Sequence, residues 1–284
     1  MKRNLIALFC ILLSCMSWSQ ELSMMTYNIR YATVNDQENQ WEKRKGFLTE
    51  QIGFYEPDVF GVQEGLHSQL EFIDQALPGY NYIGVGRDDG KEKGEYCAIF
   101  FNKEKLELLD QGTFWLSSTP DKVSKGWDAA FERICTYARF KDRASDKVFL
   151  VFNTHFDHIG ELAREKSAEL IVKKASEINK DNFPVVLMGD LNLNEKSKAI
   201  KYLSAAYNDS KMVSEAKPFG PHGTFTGFQF HDPVKDRIDY IFCSKENISV
   251  KKYAVLTDSK ESRYPSDHFP VLIKIIMNLS TIDK

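Results

Sequence analysis

The chain predicts an α/β or α+β fold, with helices packed outside a sheet core, on three observations. Apolar runs of strand length recur from residue 22 to residue 276, and helical patterns fall between several of them. No fixed-period repeat or low-complexity linker divides the chain. At 284 residues with 43% hydrophobic side chains, the balance favours one compact domain over two small ones.

Taken in order, the first twenty residues stand apart. Lys2 and Arg3 precede an apolar run from Leu5 to Leu13, followed by small and polar residues through Ser17 and Ser19. That layout predicts an exported protein with a signal peptide over residues 1–20 and a single domain over 21–284. The apolar run is too short for a permanent transmembrane helix, and the mature chain is expected to have none. A lipoprotein acylated at Cys15 is the alternative form of export, and an N-terminal core helix the alternative to export. Strands are then expected over Leu22 to Ile29, Val59 to Val62, Tyr80 to Val85, Tyr96 to Phe101, Lys147 to Thr154, Pro184 to Met188, Ile238 to Cys243 and Phe269 to Ile276. Trp41, Leu48, Ile52 and Tyr55 share one helical face, as do Leu170, Ile171, Ala175 and Ile178 within 161–179. Ala199, Ile200 and Leu203 suggest a further helix. Residues 112–132 and 211–235 read as long loops that would rim a pocket, the first carrying Trp115, Trp127 and Asp128. Cys97, Cys135 and Cys243 read as small buried hydrophobes.

Five of the apolar runs end or are flanked by polar clusters. These are Asn28-Ile29-Arg30, Gln63-Glu64, Asn153-Thr154-His155-Phe156-Asp157-His158, Gly189-Asp190-Leu191-Asn192 and Ser266-Asp267-His268. Polar groups at the ends of buried strands are where a rigid scaffold presents chemistry. Glu64, Asp190, Asn192, Asp267 and Asn28 offer hard oxygen donors, which suit Mg²⁺ or Mn²⁺ and point to phosphate chemistry. His155 and His268 add groups that exchange protons near neutral pH. Each has acidic company, Asp157 beside His155 and Asp267 beside His268, while Glu95 opens the run Glu95-Tyr96-Cys97-Ala98-Ile99-Phe100-Phe101.

With Arg237-Ile238-Asp239-Tyr240-Ile241 placed before the last cluster, this ordered series resembles the endonuclease/exonuclease/phosphatase superfamily with the DNase I-like fold. The resemblance covers about residues 22 to 276. It implies an α+β sandwich of two packed, mostly antiparallel sheets flanked by helices. It also implies that Glu64 is the principal metal ligand, with Asn28 close to metal or phosphate and Asp267 completing a metal position. His155 would contact the scissile phosphate, oriented by Glu95. Asp190 and Asn192 would position the attacking water and the phosphate, and Asp239 would orient His268, which binds phosphoryl oxygens or acts as base. Gly126-Trp127-Asp128-Ala129-Ala130 resembles a sequence of bacterial exported members, in the carbon-catabolite-repressor-type branch.

Arg30 lies two residues after Asn28, on the same side of that strand, and is a candidate substrate contact or a surface ion pair. Trp127 and His158 are further candidate substrate contacts; Trp127 equally fits a core anchor. The formal charge of −3 becomes −5 once Lys2 and Arg3 are removed, which is not the basic footprint of non-specific nucleic-acid binding. The expected activity is therefore hydrolysis of a phosphomonoester or phosphodiester by in-line water attack, on a sugar phosphate, lipid head group or nucleotide, by a periplasmic or secreted monomer without a stable protein partner. A nuclease acting on DNA or RNA, including short nucleic acid, and a non-catalytic phosphate-binding module of the same fold are the alternatives. A glycosidase is permitted by two carboxylates, but it leaves Asn28, Asn192 and both histidines unexplained.

Overall fold

A computed structural model describes residues 21–278; the expected signal segment and Cys15 lie outside them. Strand β1 (Glu21–Asn28) and helix α1 (Trp41–Tyr55) are followed by β2 (Val59–Gly65), α2 (His67–Ala76), β3 (Tyr80–Ile83) and β4 (Tyr96–Asn102). Next come β5 (Leu106–Trp115), β6 (Ile134–Asp142), β7 (Val148–His155), α3 (Glu161–Ile178), β8 (Val185–Asp190) and α4 (Lys198–Ala206). The series closes with β9 (Asn208–Asp209), α5 (Ser210–Val213), β10 (Asp239–Cys243), β11 (Ile248–Val255) and β12 (Val271–Met277).

Two six-stranded sheets result, in the orders β11-β12-β1-β2-β4-β3 and β5-β6-β7-β8-β10-β9. Each contains one parallel pair, β1 with β2 and β7 with β8, and is otherwise antiparallel. The expected two-sheet sandwich is what the chain forms.

Alternation along the strands divides the apolar residues into three layers. Leu22 and Met24 of β1, Phe149 and Val151 of β7, and Val186 and Met188 of β8 belong to the core between the sheets. The opposite parity, Met25, Tyr27, Phe60 and Val62, packs under α1 and α2 with Trp41, Leu48, Leu70 and Ile73. Leu150, Phe152 and Leu187 pack under α3 and α4 with Ile171 and Leu203.

The inter-sheet parity does not stop where apolar side chains stop. Carried on, it reaches Asn28 in β1, Gln63 in β2, His155 in β7 and Asp190 in β8; in β10, which runs antiparallel to β8, it reaches Asp239 at the strand's start. One end of the inter-sheet layer is therefore polar. Beneath it, Gln63 Nε2 donates to Asn153 Oδ1 at 2.6 Å, and Asn153 Nδ2 donates to the carbonyls of Val62 and Ala98, so the sheets are bonded together under the site. Gly189 is required here: its φ is +149°, and a Cβ would stand 1.9 Å from the Thr154 carbonyl oxygen.

Four strands and two α-helices among the described residues were not expected from the sequence, the short β9 and α5 among them. β5, β6 and β11 mix charged with apolar residues, as in Leu106-Glu107-Leu108 and Lys251-Lys252-Tyr253. β5 and β11 are sheet edges with half their side chains in solvent, so no apolar run marks them. β5 also takes residues 112–115 out of the expected loop. In α2 only Gln69, Leu70 and Ile73 are buried, too few to stand out. The three cysteines are free and buried, as read.

Candidate functional site

Asp190 Oδ2 is the point at which both sheets meet. It accepts from Asn28 Nδ2 at 2.9 Å, and His155 Nε2 and His268 Nε2 stand 3.5 and 3.8 Å away. Oδ1 of the same carboxylate accepts from the backbone N–H of Asn192 at 2.9 Å, a turn made possible by a left-handed residue at Asn192 (φ +50°). Burial raises the Asp190 carboxyl to about 7, and neighbouring Asp239 pushes the same way against His268.

His268 Nδ1 is held 2.9 Å from Asp239 Oδ2. Burial alone would lower its pKa, but Asp239 and Asp190 outweigh that and raise it to about 10, so His268 is a buried cation. The ligand atoms of Asp190, Asp239 and His268 lie within 4.8 Å of one another, a carboxylate and imidazole set of the kind that also attracts divalent ions. His155 is the opposite case. Burial, then Arg133 and Arg87, hold it well below its ordinary pKa and therefore neutral. Asn192 Nδ2 lies 3.0 Å from His155 Nε2 and also donates to the Phe156 carbonyl, which places the imidazole proton on Nδ1.

Glu64 and Asp267 line the same cleft. The backbone at Glu64 is left-handed (φ +61°), which swings its carboxylate out of the β2 ladder. Its Oε1 accepts from Asn28 Nδ2 at 3.1 Å and its Oε2 from the Tyr31 amide at 3.2 Å. Burial raises the Asp267 carboxyl, and Glu64 raises it further. Two crowded carboxylates with hard oxygens fit a divalent ion such as Mg²⁺ or Mn²⁺, whose charge offsets both effects. Asn28 differs from the expectation. Its Oδ1 accepts from the Arg30 amide at 3.0 Å and its nitrogen donates to Glu64 and Asp190, so as placed it orients both carboxylates.

Glu95 also departs from its expected partnership. Its Oε2 lies 3.9 Å from His155 Nδ1 and accepts at 2.6 Å from Arg87 Nη1 instead. Asp157, the neighbour expected to support His155, turns away. It accepts from the backbone of Ile159 and Gly160 and meets Arg133 Nε at 3.4 Å. Burial favours its neutral form, but those bonds more than offset burial and hold the carboxyl well below the usual carboxylate range.

Arg30 lines the cleft and forms an ion pair. It donates twice to Asp36, at 3.0 and 2.9 Å, and stands 3.9 Å from both Glu64 and Asp267. His158 lines the cleft, its Nδ1 accepting from Arg133 Nη2 at 3.1 Å and its ring stacked on Phe131.

Trp127 does not line the cleft. It faces a separate surface groove with Lys166, Lys173 and Lys174 of α3. Its loop is anchored by Asp128, which accepts from the amides of Leu162 and Ala163 and so caps α3 from a distance. That anchoring leaves Phe131, not Trp127, on the cleft. From the other expected loop, Phe225 reaches the cleft edge-on to His268, whereas His222 pairs with Glu195 away from the lining residues.

The residues that line the cleft enclose about 680 Å³. Arg87 and Arg133 on its wall were missed from the sequence. Arg87-Asp88-Asp89 and Glu132-Arg133 look like solvated charge pairs, and only the structure shows both arginines buried. No helix among the described residues is long and apolar enough to cross a membrane.

Comparison with known proteins agrees with the geometry. Residues 25–268 match the Endonuclease/Exonuclease/phosphatase family. The chain is similar to a solved mannosyl-6-phosphatase of Bacteroides thetaiotaomicron, at 39% identity and a TM-score of 0.86, covering 90% of this chain and 100% of that one. It is 30% identical over 258 residues to protein L388 of Acanthamoeba polyphaga mimivirus, covering 82% of this chain and 91% of L388. Nocturnin of Drosophila melanogaster is 23% identical over 282 residues, covering 82% of this chain but only 41% of nocturnin.

Proposed function

The chain belongs to the endonuclease/exonuclease/phosphatase family and is a metal-dependent phosphoric ester hydrolase, and from that premise we propose that it removes a terminal phosphate from a small polar molecule such as a sugar phosphate. The observation that carries this reading is the cleft itself. It has acids at one end and arginines at the other within about 680 Å³, a size suited to a small ligand. The likeness to a mannosyl-6-phosphatase supports the same substrate class.

In this reading Glu64 and Asp267 hold Mg²⁺ or Mn²⁺, with Asn28 fixing Glu64. The ion, when bound, supplies positive charge to the phosphoryl oxygens. Asp190, steadied by Asn28 and the Asn192 amide, accepts a proton from the attacking water. His268, charged and fixed by Asp239, donates to a phosphoryl oxygen. His155, its tautomer set by Asn192, stands beside the leaving oxygen, which departs as the free hydroxyl by taking up a proton. The protein is exported by its N-terminal segment and acts as a monomer.

A second reading, cleavage of short single-stranded nucleic acid, is favoured by Phe131 and Phe225, which are half exposed on the cleft and available for stacking on bases. Initial rates on hexose phosphates, a nucleoside monophosphate and a chromogenic phosphodiester, with Mg²⁺, Mn²⁺ or chelator, separate the two. Chelator-sensitive turnover of the hexose phosphate, absent in Asp190→Ala, is expected. Turnover of the diester alone would overturn the phosphatase reading.

A further inference from the structure

The arginine wall of the cleft holds more donors than the chemistry at Asp190 and His268 employs. Arg133 is 5% exposed; Nε reaches Asp157, Nη2 donates to His158, and Nη1 is buried without a partner. Arg87 is 9% exposed; Nη1 donates to Glu95, its guanidinium lies 5.2 Å from the Phe131 ring centre, and Nε, 3.7 Å from the Asp88 carboxylate, makes no hydrogen bond among the described residues. The recess these arginines share with Glu95, Tyr96, Cys97, Ile134 and His155 leaves no room for a water molecule. Buried donors of this kind nearly always find an acceptor, and here water in that recess is not available to be one. Both arginines also line the open cleft, so an anion seated against that wall meets their positive charge.

We propose that Arg133 and Arg87 form a clamp that reads the second negative charge of a terminal phosphate, and so select phosphomonoesters over phosphodiesters. This deepens the phosphatase reading and rests on it. A phosphomonoester presents three non-bridging oxygens, a diester two. His268 and the ion site at Glu64 and Asp267 approach from the acidic end, which leaves an oxygen of the monoester for the opposite wall. A guanidinium group matches phosphate geometry, and Asp157 and Glu95 hold the two in place on the cleft wall. A diester would set an uncharged, alkylated oxygen there and leave the two guanidinium charges unanswered, which is discrimination by an unmet charged group.

The test compares para-nitrophenyl phosphate with methyl para-nitrophenyl phosphate at saturating Mn²⁺, for wild type, Arg133→Gln, Arg133→Lys and Arg87→Gln, with thermal melts to establish folding. Arg133→Gln is expected to lower kcat/KM on the monoester about 100-fold, and on the diester at least about tenfold less than that. Arg133→Lys should fall between, and inhibition by inorganic phosphate should weaken in the same order. Equal losses on both esters in folded variants would make the arginines structural and overturn the clamp. Should the Arg133 variants fail to fold, Arg87→Gln and wild-type inhibition decide: inorganic phosphate binding no tighter than dimethyl phosphate overturns it. Wild type that turns over only the diester sinks the phosphatase reading itself, whatever the variants do.

Discussion

The two halves of one cleft are built on opposite plans. At one end Glu64, Asp190, Asp239 and Asp267 crowd together, and burial raises the carboxyls of Asp190 and Asp267. Across the cleft, burial holds His155 neutral, and Arg133 and Arg87 beside it add to that effect. The difference teaches how one small space accommodates both a cation and an anion. The acidic half is short of positive charge and the basic half short of acceptors, so a metal ion and a phosphate each relieve the half they meet.

The comparison breaks first at Asp190. Asp190→Ala is expected to lower kcat by about 1,000-fold, because it removes the carboxylate that Asn28 and the Asn192 amide hold beside both histidines. Steady-state rates at saturating metal check it, and a loss under about tenfold would remove Asp190 from the reaction. Next in size, Glu64→Gln should raise the Mn²⁺ concentration for half-maximal activity about 10- to 100-fold while activity at excess metal largely recovers. A metal titration reads this, and an unchanged midpoint would move the ion away from Glu64.

The basic half is tested through its support. Asp157→Asn should cost about 2 kcal/mol at pH 7, since the buried carboxylate accepts several bonds that include Arg133. The folded-state pKa of Asp157 is depressed, so its contribution is present above the ordinary carboxylate value and is lost as pH falls through the depressed one. Thermal melts should accordingly show the gap between wild type and variant shrinking below about pH 4. A gap that widens on acidification would contradict the ionised Asp157. Smaller still, Asp128→Ala should cost about 1 kcal/mol by uncapping α3, measured by denaturant unfolding. Smallest is Trp127→Ala, which lies outside the cleft and should leave kcat/KM within about threefold.

The acidic half was legible in the sequence and the basic half was not. Asp190, Asn192, Asp267 and His268 sit at the ends of apolar runs, where local pattern and strand parity point into one place. Arg133 precedes a strand of mixed character and Arg87 lies in a charged loop, so nothing nearby in sequence says that either is buried. Glu95 shows the same limit in another form. Its position was readable, but its choice of Arg87 over His155 is set by distances of 2.6 and 3.9 Å between residues from separate elements. Trp127 drew attention by residue type, whereas the neighbouring Phe131 occupies the cleft because Asp128 ties the loop to α3.

The place of β12 carries a consequence for how the molecule comes into being. The last of the described strands lies in the interior of its sheet, between β1 and β11, and Ser266 Oγ just before it donates to the Asn28 carbonyl at 2.6 Å. During translation β1 must therefore wait with an unpaired edge for some two hundred and forty residues, and β11 has no neighbour in its sheet until β12 arrives. Asp267 and His268 come with that closing segment. A ribosome-bound chain that lacks it would be inert as well as incomplete, so activity waits on the synthesis of residues 266–277.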